Sequence, residues 1–362
     1  MDFALTGEQE ALRDTAAKYL ADERACADGD RAWADVTGLG WLDPELGTVE
    51  LALLAEQLGH ARSPLPWWAA MGLAGPALRA GGRAVRRPAT LAWAEEPGPG
   101  TLAGLLALAR SAGPGDGTAG CAVAPDGTLT GRKVAVPHAG EAVDLVVGVA
   151  GPDGIELRLV DAAALRPTPS DAGPAGLDPT RPAATVELSG VASTPLVAAH
   201  ASADVLAEIR RRTLTLLAAE AVGVATRALA WATGHATTRT QFGRPIGANQ
   251  AVAHPLAELY GQVETARSLA YRAAWSVDAE PGPVADRAVA AAAVAGREAA
   301  TAACETAVQT YGGSGFTWEQ PLHHWYRRAW WLATFDGTVS DLRAELAASL
   351  LDEATGQDAP GR

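Results

Sequence analysis

The amino-acid sequence predicts an α+β multidomain protein: an N-terminal helical domain, a middle antiparallel β-barrel-like domain and a C-terminal four-helix bundle. Three observations carry this expectation. Ala-rich sequence with leucines at helical spacing occupies both ends of the chain. Between the ends, short β-forming runs alternate with turns rich in Pro, Gly and Asp. At 362 residues the chain is long enough for two or three domains, each with its own core. The expected boundaries are 1–85, 86–199 and 200–351, with a disordered tail over 352–362.

In the first block, Thr6 is a good N-cap, and Glu8 and Glu10 suit the positive end of a helix dipole. Val49–Leu58 and Trp67–Arg79 read as two further short helices. In the middle block, β-runs are expected at Thr90–Trp93, Cys121–Val123, Lys133–Val136, Leu145–Val149, Glu156–Val160 and Ala184–Leu188. The tripeptide PDG occurs at Pro125–Gly127 and Pro152–Gly154, each time between apolar runs, where it favours a turn. In the last block, helices are expected over 203–236, 249–278, 284–310 and 321–351, the last interrupted near Asp336–Gly337. Pro281 and Pro283 part the second from the third, and faces rich in Ala and Gly allow close helix packing.

Hydrophobic residues make up 48% and charged residues 20%, a globular balance. The net charge, 29 − 42 = −13, argues against nucleic-acid binding but leaves room for a local basic pocket that takes an anionic ligand. Cys26, Cys121 and Cys304 are scattered without a C-x-x-C, so neither a disulfide framework nor a zinc site is expected, and a reducing compartment is. MDFALTGEQE has no basic segment or apolar core, hence no signal peptide is expected. The longest apolar run, Ala288–Gly296, lies between Arg287 and Arg297 and falls short of the roughly 20 residues that span a bilayer. The expectation is a cytoplasmic protein without a membrane span. There is no G-x-G-x-x-G or P-loop in a strand–turn–helix setting.

Two stretches carry chemistry. The first, Gln309–Thr338, leaves a helix through a glycine loop (Gly312, Gly313, Gly315), enters an aromatic, basic helix and ends on Asp336–Gly337–Thr338. A glycine pair after a helix lets backbone N–H groups approach a phosphate or a ring edge. A carboxylate between Phe335 and Gly337, after Trp330 and Trp331, has apolar neighbours that would make it a base; the plainer reading is an N-cap for the next helix. The second stretch is Arg239–Gln250, RTQFGRPIGANQ.

Together these stretches resemble the acyl-CoA dehydrogenase family, flavoenzymes that desaturate acyl-CoA thioesters. The family carries R-x-x-F-G, a Gln, Q-x-x-G-G and an acid-Gly-Thr in this order. Here they read Arg239/Phe242/Gly243, Gln250, Gln309/Gly312/Gly313 and Asp336/Gly337/Thr338. The N-terminal helix also resembles the family's first, although the block between Gly40 and Leu51 is short by comparison.

The resemblance implies FAD as cofactor and Asp336 as the base that removes the substrate's α proton, where the family usually has Glu. Asp is one methylene shorter, a loss of roughly 1.5 Å of reach, so Asp336 is either a base with a readjusted backbone or a relic. Some family members carry the base on an earlier helix; the matching position is Thr213, which cannot act as one and would only touch substrate. Arg239 would pair with the dinucleotide pyrophosphate through its planar fork. Gln241, Phe242 and Gln250 would lie at the adenine end. Gln309, Gly312 and Gly313 would hold the dinucleotide across a subunit interface, and Thr338 and Ser340 would bond the cofactor. The Gly337 N–H would hold the thioester carbonyl.

In the middle block the family's flavin-cradling Thr, Trp and Thr are replaced by Glu95, Ala135 and Pro137. An anionic Glu beside a flavin that becomes anionic on reduction is unfavourable, and loss of the Trp removes a stacking surface. The split implies a heteromeric enzyme, a heterotetramer with a homologous partner subunit, of the type that acts on steroid side chains in actinobacteria. A self-sufficient homo-oligomer and a non-catalytic structural subunit are the competing readings. The substrate would be an acyl-CoA and the acceptor an electron-transfer flavoprotein.

Overall fold

A computed structural model of the chain describes residues 4–22, 28–96, 98, 100–111, 120–151, 153–170 and 176–357. Cys26, Pro152 and the last five positions of the expected tail, 358–362, lie outside the described residues. The chain runs helices, strands, helices, as its patterning requires. It forms two compact units that interleave along the sequence: a helical unit from Met1–Glu23, Gly47–Ser63 and Leu214–Arg362, and a sheet unit from Arg24–Leu46 and Pro64–Thr213.

In the helical unit, α1 (Gly7–Leu20) opens on a capping box. The Thr6 hydroxyl accepts from Gln9 N, and the Gln9 side chain accepts from Thr6 N. The helix packs on α3 (Thr48–His60), which packs in turn on α7 (Gln250–Ala279). Gly47, at the start of α3, has no side chain to cap with. Asp278 of α7 does it instead, accepting from Thr48 N and Oγ1 at 2.6 Å each. The two earlier segments thus belong with the C-terminal bundle because their free polar ends and apolar faces are completed there.

The 40-residue α6 (Ala199–Thr238) crosses α3 at two glycines. A Cβ on Gly223 would stand 1.9 Å from the Glu56 carbonyl oxygen, and one on Gly59 would stand 2.1 Å from that of Glu220, so only glycine fits at either position. An 18-residue window of α6 is apolar enough to cross a membrane, but 78% of it is buried, which marks a core helix. Next, α8 (Gly282–Tyr311) lies along α7 and carries α9 (Leu322–Thr334) and α10 (Val339–Gln357). Its buried face is mostly alanine, which lets the helix axes approach closely. The break expected at Asp336–Gly337 separates α9 from α10, and α10 continues past Leu351 to Gln357.

In the sheet unit, α2 (Gly29–Gly38), which the sequence reading missed, is capped by Asp28 accepting from Arg31 N. A π-helical turn, Ala69–Ala74, leads into α4 (Gly75–Ala80). Eight strands follow: β1 (Ala89–Ala92), β2 (Ala122–Val123), β3 (Thr128–Pro137), β4 (Asp144–Gly151), β5 (Gly154–Asp161), β6 (Thr168–Pro169), β7 (Ala183–Ala192) and β8 (Thr194–Val197). Their order is β6-β7-β3-β2-β4-β5-β8, with β1 also on β4.

The sheet is antiparallel except where β1 and β2 each run parallel to β4, so the wholly antiparallel expectation is corrected. Another element not anticipated, α5 (Leu102–Arg110), follows β1, capped by Thr101. Leu105 of α5 packs against Gly148 of β4, where a Cβ would come within 3.0 Å of it. A helix after β1 lets the chain cross over and return parallel, which a tight hairpin cannot do.

Candidate active site

Asp336 sits in the joint between α9 and α10, half-buried, with its backbone in the left-handed region (φ 54°). Gly337 follows at φ 101°, a conformation that suits glycine and strains other residues. The elements on each side are firmly held. Arg328 of α9, fully buried, pairs with Glu220 of α6, also buried, and donates to the Ser63 carbonyl at 3.2 Å. The Trp331 and Phe335 rings pack with centroids 5.3 Å apart.

On the other side Thr338 caps α10. Its hydroxyl accepts from Asp341 N, and its own N and Oγ1 donate to Asp341 Oδ2 at 2.8 Å. The N-cap of α10 is therefore Thr338. The Thr338 hydroxyl, expected to reach the cofactor, is engaged in this local pair; Ser340 is exposed on the first turn of α10.

The R-x-x-F-G stretch forms a two-residue hairpin between β9 (Thr240–Gln241) and β10 (Arg244–Pro245). The turn residues Phe242 and Gly243 both have positive φ (50° and 77°), as a type I′ turn requires. Phe242 holds that conformation while fully exposed, at 100%; strained backbone of this kind gathers at ligand sites. Gln241 is exposed and donates to the Thr240 carbonyl at 2.9 Å.

The glycine loop, a 3-10 turn over Gly312–Phe316, lies close by, because His235 near the end of α6 stacks on Tyr311 at the end of α8, centroids 4.0 Å apart. Burial first, and then Arg239, hold the His235 pKa below its ordinary value. Arg239, Gln250 and Gln309 are all exposed, and among the described residues their side chains make no hydrogen bond or ion pair. No atom lies within 4 Å of where a Cβ would stand on Gly312 or Gly313. Uncommitted donors, an exposed ring and an open glycine loop fit a dinucleotide.

In the sheet unit, Glu95 is not a free anion. It is 3% exposed, forms a buried ion pair with Lys133 and accepts from Gly120 N. Lys133 also donates to the Trp93 carbonyl at 3.3 Å. The expected clash of a bare Glu charge with a reduced flavin is therefore corrected: Lys133 neutralises it inside the fold. Ala135 sits at a bulge of β3 with φ 49° and offers no ring. No hydroxyl or aromatic face is available at 95, 135 or 137 for a flavin ring.

Beyond this point His138, 1% exposed, accepts from Trp68 Nε1 at 3.1 Å on Nε2 and bonds Glu141 through Nδ1 at 2.9 Å. The imidazole is thus the Nδ1–H tautomer, and its position is structural. Thr213, the other expected substrate contact, is fully buried, with an Oγ1 that makes no hydrogen bond.

The profile of the "Acyl-CoA dehydrogenase, C-terminal domain" family matches residues 211–351. The acyl-CoA dehydrogenase IpdE2 of Mycobacterium tuberculosis is 33% identical over 328 residues, 89% of this chain and 91% of that protein. The chain belongs to the acyl-CoA dehydrogenase family. Its enzyme class is that of FAD-dependent oxidoreductases. Among solved structures, a variant of the Tcur3481-Tcur3483 steroid ACAD superposes with a TM-score of 0.75 at 26% identity, covering 96% of this chain and 99% of that one. The ChsE4-ChsE5 complex of Mycobacterium tuberculosis shares the fold, with a TM-score of 0.77 at 22% identity, covering all of both chains.

Sequence reasoning missed that Lys133 pairs with Glu95 and that Arg297 donates to the Phe335 and Gly337 carbonyls on either side of Asp336. Each left a trace. Lys133 is one of only two lysines in an Arg-rich chain, and Arg297 closes the longest apolar run. A charge at such a position is buried with a partner or serves a site.

Proposed function

We propose that the chain is a subunit of a heteromeric acyl-CoA dehydrogenase that shares its FAD sites with a homologous partner chain and desaturates an acyl-CoA thioester between Cα and Cβ. The observation that carries this reading is the split between two sets of residues. The side-chain donors that fit the dinucleotide (Arg239, Gln250 and Gln309) are free to bind, beside an open glycine loop at Gly312–Gly313. The positions where the family has its flavin-cradling side chains hold Glu95, turned inward onto Lys133, and Ala135 and Pro137. A partner with an intact cradle completes the sites.

FAD supplies the acceptor for the β hydrogen, which leaves as hydride. The chain's own residues do the rest. With the cofactor bound, Arg239 would orient the pyrophosphate through its fork of donors, Phe242 would cover the adenine end, Gln241 and Ser340 would bond the cofactor, and Thr338 would reach it by giving up its contact with Asp341. Asp336 takes the α proton, and the Gly337 N–H steadies the thioester oxygen as charge develops there. Thr213, the other proposed substrate contact, is buried and meets the acyl group only if its surroundings open. A thioester α proton is weakly acidic, so the bound substrate must exclude water around Asp336 for the transfer to proceed.

The likeness to the steroid ACAD supports a bulky acyl group. The proposed acceptor is an electron-transfer flavoprotein, and the proposed compartment is the cytoplasm. A non-catalytic role for this chain is favoured by the short reach of Asp where the family has Glu.

The test is Asp336→Asn in the flavin-loaded assembly. The proposal expects flavin content and acyl-CoA affinity to stay within about threefold while substrate bleaching slows at least about 1,000-fold. Unchanged bleaching would assign the base to the partner and leave this chain a structural role.

A further inference from the structure

Arg297, in the middle of α8, is 3% exposed. Its Nη1 donates to the Gly337 carbonyl at 2.9 Å and its Nη2 to the Phe335 carbonyl at 2.6 Å. These two carbonyls flank Asp336. We infer that Arg297 is the positioning residue of the candidate base: its guanidinium grips the peptide before Asp336 and the peptide after Gly337 and thereby aims the carboxylate. The inference rests on the reading of Asp336 as the base.

A simple helix cap would look different. Arginine near a helix C-terminus bonds the orphan carbonyls of the last turn. The last turn of α9 ends at Thr334, whereas the fork holds residue 335 and reaches beyond the helix to 337. The Phe335 carbonyl lies in the peptide that enters Asp336 and the Gly337 carbonyl in the peptide that leaves Gly337, so the fork spans the Asp336–Gly337 pair and limits the rotations that set the direction of the Asp336 Cα–Cβ bond. That direction is unusual here, because Asp336 and Gly337 both have positive φ, and strain of this kind persists only where the surroundings over-determine it.

The surroundings do so from three sides. The guanidinium holds the joint itself, the Trp331–Phe335 contact holds its entry, and the Thr338–Asp341 pair holds its exit. A short carboxylate needs such aim, since a displacement of about 1 Å can cost about 100-fold in rate. The planar fork matters more than the charge: lysine offers one point donor and cannot span both carbonyls with the same geometry.

The test isolates the proton step. An acyl-CoA whose β carbon bears no hydrogen, 3,3-dimethylbutanoyl-CoA, can be deprotonated but not oxidised. In D2O the α C–H bond breaks, its electron pair moves onto the thioester oxygen, Asp336 takes the proton, and a deuteron returns to carbon. No oxidant is consumed, and NMR follows the exchange in the flavin-loaded assembly.

Arg297→Lys is expected to slow exchange about 10- to 100-fold while the affinity for the probe stays within about threefold. Asp336→Asn is expected to slow it at least about 1,000-fold. In the flavin-free chain, amide exchange over 335–341 is expected to rise in Arg297→Met, less so in Arg297→Lys, with the rest of the chain unchanged. Wild-type exchange in Arg297→Lys, with Asp336→Asn inactive, would reduce Arg297 to a cap and overturn the inference. Wild-type exchange in Asp336→Asn would instead remove the base reading itself, and the inference with it.

Discussion

Replacing Lys133 with methionine removes an ammonium group from the interior of the sheet unit and leaves the Glu95 carboxylate behind. The two side chains are 1% and 2% exposed, so water cannot stand in for the lost partner. Glu95 keeps the Gly120 N–H and the Cys121 thiol as donors, neither of them charged. Methionine nearly refills the volume, so the cavity contribution is small and the cost is that of an unpaired buried charge, about 3–5 kcal/mol. For a unit of this size that lowers the thermal midpoint by on the order of 10 °C. Adding Glu95→Gln removes the stranded charge, and the double variant should recover about 2 kcal/mol or more of the loss, a coupling expected for groups in contact. Urea denaturation followed by circular dichroism measures all three variants. A Lys133→Met cost under about 1 kcal/mol, or no recovery in the double variant, would mean that the pair is not a buried, mutually dependent unit.

The crossing of α3 and α6 makes a sharper prediction about glycine. Gly223→Ala should cost about 3 kcal/mol or fail to fold, because its Cβ would stand 1.9 Å from the Glu56 carbonyl oxygen; Gly234→Ala, farther along the same helix with nothing within 4 Å, should stabilise by about 0.5–1 kcal/mol. Thermal unfolding of the two variants checks both signs. The start of α10 should loosen in acid. The Thr338 N–H, and then its hydroxyl, hold the Asp341 carboxyl below its usual pKa of 3.8. The folded value lies under the unfolded one, so this support is complete above the unfolded value and is lost as pH falls through the folded one. Amide exchange at 338–342, corrected for intrinsic rates, should rise below pH 3.8, and Asp341→Asn should show the loosened exchange at neutral pH.

Much of the helical frame was legible because its signals are local. Thr6 with Gln9, the prolines at 281 and 283, and the Gly-Thr after Asp336 each act within one turn of helix, and α1, α7, α8 and the α9–α10 break follow them. The sheet was less legible. The helices α2 and α5 are short, and their caps, Asp28 and Thr101, lie in sequence otherwise rich in turn residues. The parallel pairing of β1 and β2 with β4 depends on contacts distant in sequence. At the site, residue types could be matched to roles, but their commitments could not. Glu95 reads as an exposed anion until Lys133 is seen beside it, and Asp336 reads equally as cap or base until Thr338 takes the cap. Arg297 was invisible as a site residue because its partners are backbone carbonyls roughly forty positions away, which leave no pattern in side-chain identity.

The most direct test of the shared-site reading is the visible spectrum of the purified chain, expressed alone and with a homologous partner chain. A colourless protein alone and a yellow complex with the partner, holding fewer flavins than chains, are expected. A yellow chain that carries a full equivalent of flavin by itself, and is bleached by an acyl-CoA, would contradict that reading and show that Glu95, Ala135 and Pro137 do not keep the cofactor out.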